Sequence, residues 1–395
     1  MASVPARAIA IAGAGIGGLT AALALARAGF AVTLVERATA LEEAGAGIQL
    51  AANATRCLKA LGVYERVAAH AAFPEALAVM DGRRGTRIGG GPMGTTAERR
   101  FGAPFLVIHR ADLQAALVDA VRDVPTINMK LGRALESFSS QGNGVSLRLR
   151  HESGEETLSA DALIGADGLR STVRGALHPR ATPSFHRRAA WRATVPAQTL
   201  PAHLTDPVTR LWLGPGAHLV SYPVRDGRAI NLVAVTPDQR QAHGWSEAGT
   251  RAELLTHYNG WCEDVGLLLG TPPRWQRWAL FDLDPLPAWG AGPVTLLGDA
   301  AHAMLPFLAQ GAAQAIEDAT ALARQLEDTS DIPAALRRYE AERRPRTARV
   351  QRAARAMDRL YHLAGPARLA RDLVMRIQPE NAVLERYRWI YAGPS

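Results

Sequence analysis

The spacing of apolar residues changes character several times along the chain, and each change marks a new kind of element. Residues 7–12 read as a buried strand, apolar throughout after Arg7. Residues 17–28 place Leu19, Leu23 and Ala26 on one face of a helix, with Gly29 as its C-terminal stop, and residues 31–36 read as a second strand. No charge falls between Arg7 and Arg27, a length that would suit a membrane span or a secretion signal. Gly13, Gly15, Gly17 and Gly18 interrupt that run and alanine dominates its second half, so strand, turn and helix are expected instead. No other stretch is suited to span a bilayer. A mixed segment over 78–109 precedes a helix over 111–121 and short strands over 145–150 and 162–164. From 188 to 281 the period shortens to strand alternation, for example over 218–222 and 229–235, with Pro and Gly turns between, which predicts a mainly antiparallel sheet. A buried parallel-type strand returns over 293–297, followed by a helix over 312–326 and an arginine-rich helical region over 334–378.

These patterns predict an α/β fold in which one nucleotide-type domain is split along the sequence. Its segments are 1–75, 103–185 and 285–330; a β-rich substrate domain takes 76–102 and 186–284, and 331–395 forms a C-terminal helical region. With 395 residues, 48% of them hydrophobic and 21% charged, disorder and coiled coil are excluded. The net charge of +8 raises the question of a nucleic-acid or anionic-membrane partner. Residues 337–376 hold twelve arginines and four acids (Glu340, Glu342, Asp358 and Asp372), which accounts for the whole excess. Only Lys59 and Lys130 are lysines, so the preference for arginine is chain-wide. The expectation is a tail that covers the nucleotide domain or meets a second subunit, with its charge solvated. Cys57 and Cys262 make neither a disulfide framework nor a metal-ligand spacing, which points to a reducing, cytoplasmic setting.

Three motifs carry the chemistry. Gly13-Ala-Gly15-Ile-Gly-Gly18 lies between a strand and a helix, and Glu36 follows the last glycine by eighteen residues. Such glycines let the backbone approach a pyrophosphate at a helix N-terminus, and such an acid takes ribose hydroxyls, so a dinucleotide site is expected. The second motif runs Gly165-Ala-Asp167-Gly168-Leu-Arg170-Ser-Thr-Val-Arg174, and the third is Gly298-Asp299-Ala-Ala-His302, continuing through Pro306 and Gln310-Gly311-Ala312 to Glu317-Asp318-Ala319. With these residues in this order, the chain resembles the single-component FAD-dependent aromatic hydroxylases, the family of p-hydroxybenzoate hydroxylase and salicylate hydroxylase. The resemblance covers residues 8–323, with Ala303 where the family pattern has proline.

That resemblance implies a Rossmann-like FAD-binding domain with an inserted substrate sheet. It implies that Gly13, Gly15 and Gly18 hold the FAD diphosphate, with Glu36 on the adenosine ribose and Arg37 beside it. Arg110 matches an arginine that contacts FAD, and Leu135 a residue whose backbone meets the adenine. Gln49 lies on a loop bordering the flavin, and Asp167 belongs to a motif tied to both FAD and nicotinamide-cofactor binding. Asp299 is implied to accept from the ribityl chain, while Pro306, Gln310, Gly311 and Ala312 present backbone N–H groups to the flavin ring. The implied reaction uses NAD(P)H as a transient co-substrate and O2, and hydroxylates an electron-rich ring through a C4a-hydroperoxyflavin. His218 and Tyr222, four apart on a predicted strand and so on one face, match a His-x-x-x-Tyr pair near the substrate hydroxyl. An imidazole suits removal of a phenolic proton.

The expected substrate is a small phenolic acid, salicylate-like or 3-hydroxybenzoate-like, taken by a monomer or homodimer without nucleic-acid or membrane partners. A heterocyclic or larger ring, a non-catalytic flavin-binding protein, and a basic nucleic-acid or membrane binder are the competing readings. Residues judged structural are His302, Arg192, Arg210, Trp275, Trp278 and Cys262.

Overall fold

A computed structural model describes residues 7–41, 46–142, 144–240 and 246–393. Its first layer is a five-stranded parallel sheet ordered Val294–Leu296, Ala162–Gly165, Ala8–Ala12, Ala31–Val35 and Ile127–Lys130. Ala8–Ala12 is central, which is why its apolar run tolerates no polar face. The strands come from widely separated segments, so the sheet closes only when distant parts of the chain meet. The glycine-led helix Ile16–Arg27 packs on this sheet and against helix Gly311–Leu326. A Cβ on Gly17 would lie 2.8 Å from a Leu297 methyl and 3.2 Å from the Ala315 Cβ, so the small side chains set how closely the two helices approach.

The second layer is an eight-stranded sheet formed from 76–92 and 184–282. Its order is Glu247–Gly249, Trp275–Asp282, Ser184–Pro196, Ala229–Pro237, His218–Val224, Val208–Leu213, Ala76–Asp81 and Arg87–Pro92. All neighbours are antiparallel except Val208–Leu213 with Ala76–Asp81, a parallel pair that arises because Ala76–Asp81 enters from a distant segment and not through a hairpin. Alternation divides the faces. Trp191, Trp212 and Trp275 are buried on one side among Leu254, Val265 and Leu268 of two short helices. The opposite face carries Val220, Val233 and Leu211.

Two smaller sheets complete the β structure. One holds Gly47–Leu50 against Leu106–His109, so Gln49, expected on a loop, is paired within a strand opposite Val107. The other, Ala134–Gln141 with Gly144–His151 and Gly154–Ala160, contains Leu135, whose partner is Leu149.

The C-terminal region corrects one expectation. Its helices are Ile332–Tyr361, Gly365–Ile377, Ala382–Arg386 and Arg388–Tyr391, and their charge is not uniformly solvated. Arg343 is fully buried, its Nε donating to Asp318 Oδ1 at 2.7 Å and its Nη1 to Glu317 Oε2 at 2.5 Å. Arg346 donates from Nε to Glu317 Oε2 at 2.7 Å and from Nη1 to the Trp389 carbonyl at 2.6 Å. Arg371 caps the end of the long helix through the Leu360 and Tyr361 carbonyls. The physical reason is geometric: residues three apart share a helix face, and here that face lies against the acids of helix Gly311–Leu326. Among the described residues, no helix is long and apolar enough to cross a membrane.

Candidate active site

A cavity of about 410 Å³ lies between the parallel sheet and the eight-stranded sheet. Its floor begins at the glycine turn. Gly13, with φ of +105°, would place a Cβ 2.4 Å from the Ala166 carbonyl oxygen, and Gly18 would place one 1.9 Å from the Gly13 carbonyl oxygen. These two residues make the turn fit the protein itself. Gly15 lines the cavity, and a Cβ there would have no atom within 4 Å, so its backbone is left open to an incoming group. Glu36 accepts from the Ala14 amide at 2.8 Å and the Ala38 amide at 2.9 Å, which holds its carboxylate against the turn. Arg37 is exposed beside it.

Asp299 is exposed toward the cavity at the start of the short helix Asp299–His302. Residues 306–312 form the adjoining floor: a single 3-10 turn, Pro306–Leu308, leads through left-handed Ala309 into helix Gly311–Leu326. Gly311 and Ala312 line the cavity, so the first turn of a sixteen-residue helix, where N–H groups lack helical partners, borders it. Gln310 is buried there, and its Oε1 accepts from Asn53 at 3.0 Å and Gln314 at 3.1 Å. Tyr361 reaches the same turn from the C-terminal region, its hydroxyl donating to the Phe307 carbonyl at 3.2 Å.

Gln49 and Arg110 form part of the wall. Asp167 and Leu135 do not line the cavity. Asp167 accepts from the Thr172 and Val173 amides at 2.7 and 3.1 Å and so caps helix Thr172–Leu177; burial pushes its carboxyl up from the ordinary range.

The roof is the inner face of the eight-stranded sheet, and its register sorts the lining into rows. One row runs Leu77, Thr209 and Tyr222, with Asn231 paired to Tyr222 beyond the lining; the next Leu211, Val220, Val233 and Arg192; the third contains His218 and Val235. His218 and Tyr222 thus share the cavity face, as their spacing requires, and both are buried. Rings of Phe307, Tyr361 and His362 flank His218 at centroid distances of 5.5, 5.4 and 4.9 Å. His218 Nδ1 lies 2.8 Å from His362 Nε2. Burial, then the neighbouring His362 and Arg188, holds the His218 imidazole well below its usual range. Burial likewise raises the Tyr222 phenol. Tyr222 closes on Gly47, where a Cβ would meet its ring at 2.6 Å, and the Gly47 amide donates to Asn231 Oδ1 at 2.6 Å.

Other candidates separate cleanly. His302 is bound to Asp318 at 2.5 Å, and Arg210 pairs with Asp206 at 2.6 Å, both away from the cavity lining. Arg192, by contrast, does line the cavity, its guanidinium 5.4 Å from the Trp278 ring centroid. Sequence reasoning missed Tyr361, Val383, Tyr387 and Tyr391 in the wall, Asn231 behind Gly47, and His362 behind His218. The one local signal for any of them was the four-residue spacing of Tyr387 and Tyr391.

An open parallel sheet, a glycine turn at a helix N-terminus and a second sheet roofing the same cavity define a dinucleotide-cofactor enzyme scaffold with a separate substrate layer. The chain matches the family described as FAD binding domain over residues 6–354, and it belongs to that family, within the single-component FAD-dependent aromatic hydroxylases. It is 36% identical to the 3-hydroxybenzoate 6-hydroxylase of Polaromonas naphthalenivorans, across 97% of this chain and 95% of that protein. It is 37% identical to the 3-amino-4-hydroxybenzoate 2-monooxygenase of Streptomyces cremeus, across 97% and 94%. A solved salicylate hydroxylase substrate complex is 29% identical with a TM-score of 0.83, covering 99% of this chain and 97% of that one.

Proposed function

We propose that this chain is an FAD-dependent monooxygenase that uses NAD(P)H and O2 to hydroxylate a small phenolic acid of the 3-hydroxybenzoate or salicylate kind. One observation carries the reading: His218 and Tyr222 face the same cavity whose floor is built from Gly15, Asp299 and residues 306–312. The floor suits FAD on its own geometry. Gly15 leaves room for a diphosphate, Glu36 at the edge of the turn would take ribose hydroxyls, and the open helix end at Gly311 and Ala312 would favour a group that gains negative charge. Gly13 and Gly18 shape that turn, Arg110 and Gln49 line the same cavity and would contact the flavin portion, and the exposed Arg37 would meet the adenosine end. When bound, FAD supplies the redox and oxygen-transfer chemistry that no side chain provides.

The protein's part is to orient the ring, exclude water and move a proton. The apolar wall of Leu211, Val220, Val233 and Phe307 holds an aromatic ring between roof and floor. His218 takes the proton of the substrate hydroxyl, which raises electron density in the ring, and the Tyr222 hydroxyl donates to the oxygen so formed. Burial keeps His218 unprotonated and therefore ready to accept. Arg192, on the roof between the His218 and Tyr222 rows, offers positive charge to a carboxylate.

We further infer that the enzyme works in the cytoplasm as a monomer or homodimer without nucleic-acid or membrane partners. Buried ion pairs that engage part of its arginine excess support this, and size-exclusion chromatography tests the oligomeric state.

The deciding experiment offers the purified, flavin-loaded protein a panel of monohydroxylated benzoates and pyridine acids, scoring NAD(P)H consumption and hydroxylated product. A benzoate that stimulates both is expected. A yellow protein that no phenolic acid stimulates overturns the proposal in favour of a binding role, and product from pyridine acids alone moves it to heterocyclic rings.

A further inference from the structure

Behind His218 stands a chain of polar groups that ends in a helix of the C-terminal region. His362 is the residue that closes the long helix Ile332–Tyr361, and its side chain is nearly buried. Its Nδ1 lies 2.7 Å from the Asp358 carbonyl oxygen and 3.0 Å from Asp358 Oδ1. Asp358 Oδ1 is in turn 2.6 Å from Arg188 Nε, and Arg188 Nη1 donates to the Gly216 carbonyl at 3.0 Å.

These contacts leave one consistent proton arrangement. Both groups facing His362 Nδ1 are acceptors, so that nitrogen carries the hydrogen. A neutral His362 then presents a lone pair at Nε2, 2.8 Å from His218 Nδ1, which must donate. His218 Nε2 is therefore the ring nitrogen with a free lone pair, and His218 lines the cavity. We propose that His362, anchored by Asp358, is a positioning residue that fixes His218 in the Nδ1–H tautomer and so makes Nε2 the acceptor of the substrate's hydroxyl proton. The proposal rests on the hydroxylase reading above and extends it to a helix that no flavin motif reaches.

The proton balance is simple. The substrate O–H bond breaks, an N–H bond forms at His218 Nε2, and phenolate and imidazolium charges develop together. The Asp358 carboxylate, one imidazole removed, stabilises the positive end, as a carboxylate behind a histidine base does in other enzymes. Groups packed around His218 from every side are consistent with this role. Arg188 contributes from strand Ser184–Pro196, two strands away across Ala229–Pro237, Asp358, Tyr361 and His362 from the long helix and its end, and Tyr258 donates to the His218 carbonyl at 2.7 Å. Burial, the first cause for both imidazoles, lowers each, with Arg188 adding to the effect, while Asp358 opposes it at His362; both rings are thereby kept neutral, the state the tautomer argument requires.

The test uses full-length, flavin-loaded protein with 15N-labelled histidine, together with the variants His362→Phe and His362→Gln. Phenylalanine keeps a ring without an acceptor, whereas the glutamine amide offers an oxygen to His218 Nδ1–H and an N–H to Asp358. In substrate-free wild type, the His218 signals are expected to show Nδ1 protonated and Nε2 bare. In His362→Phe the Nε2–H tautomer should become populated. With 3-hydroxybenzoate and salicylate as probes, His362→Phe is expected to lose about 100-fold in kcat for hydroxylated product, with KM and FAD retention little changed. NAD(P)H consumption that releases peroxide instead of product should rise, and His362→Gln should recover most of the loss. An unchanged His218 tautomer in His362→Phe overturns the proposal, as does a glutamine variant no better than phenylalanine at equal melting temperature. If wild type hydroxylates neither probe, the hydroxylase reading fails, while the 15N spectra still decide the tautomer.

Discussion

Gly13, Gly15 and Gly18 look equivalent in the motif and differ in what surrounds them. Gly18→Ala forces a methyl onto the Gly13 carbonyl, and overpacking of this kind costs about 1–3 kcal/mol. Gly15→Ala meets nothing in the protein and is expected to leave the apoprotein's urea midpoint unchanged while weakening FAD binding at least tenfold by fluorescence titration. Equal destabilisation of both apoproteins would contradict this division. At the roof, the lowered His218 affinity for protons has a definite sign: a base held neutral to lower pH keeps its activity as pH falls through 6.5. Product formation is expected to stay level from pH 8 to 6.5 and to decline only below it; a midpoint at or above 6.5 in a kcat profile speaks against His218 as the base. The glycines and His218 were legible because short-range spacing carries their meaning. Asn231 was not, since it gains its role only by meeting Gly47, far away in sequence.

Helix Gly311–Leu326 does two tasks at once: its first turn borders the cavity and its middle carries Glu317 and Asp318, both buried. Burial alone would raise Asp318, but His302 and Arg343 outweigh it and bring its pKa from an ordinary 3.8 to about 2. A carboxylate lowered on folding contributes stability that is present above 3.8 and is lost as pH falls toward 2, worth about 2 kcal/mol here. Arg343→Leu removes the buried cation shared by two buried acids, leaving Glu317 to Arg346 and Asp318 to His302, and is expected to cost about 3 kcal/mol in urea unfolding at pH 7. It should also flatten the stability change between pH 4 and 2; a loss under 1 kcal/mol would show that the network relaxes. Gln310 is bound by Asn53 and Gln314, which also reach Glu317, so this variant should disturb flavin binding as well. The helix itself was evident from its pattern. Its ion pairs were not, because the arginines that satisfy it lie on another helix whose charge, counted in sequence, looked like surface.

For the whole molecule, the C-terminal region is part of the site and not a cover over it. Val383, Tyr387 and Tyr391 line the cavity, and Arg346 reaches back to the Trp389 and Ile390 carbonyls. A chain ending at residue 378 keeps the glycine turn, Asp299 and residues 306–312 yet loses that wall. It is expected to purify yellow and to consume NAD(P)H, with product yield reduced severalfold and peroxide released in its place. Full coupling in the truncated chain would show those aromatics to be dispensable.

By itself the sequence determined the α/β class, the split nucleotide domain, the glycine turn with Glu36, the Asp299 and 306–312 floor, and the shared face of His218 and Tyr222. Each of these depends on hydrophobic period or on residues close in the chain, where backbone geometry translates spacing directly into direction. Tertiary structure alone decided that Ala76–Asp81 pairs in parallel, that Arg343 is buried, and that His362 meets His218. Those contacts join segments up to 144 residues apart for the histidine pair, and no local pattern encodes them. They follow from packing two sheets and a helical region around one cavity, where each buried donor must find its acceptor wherever the chain happens to bring one.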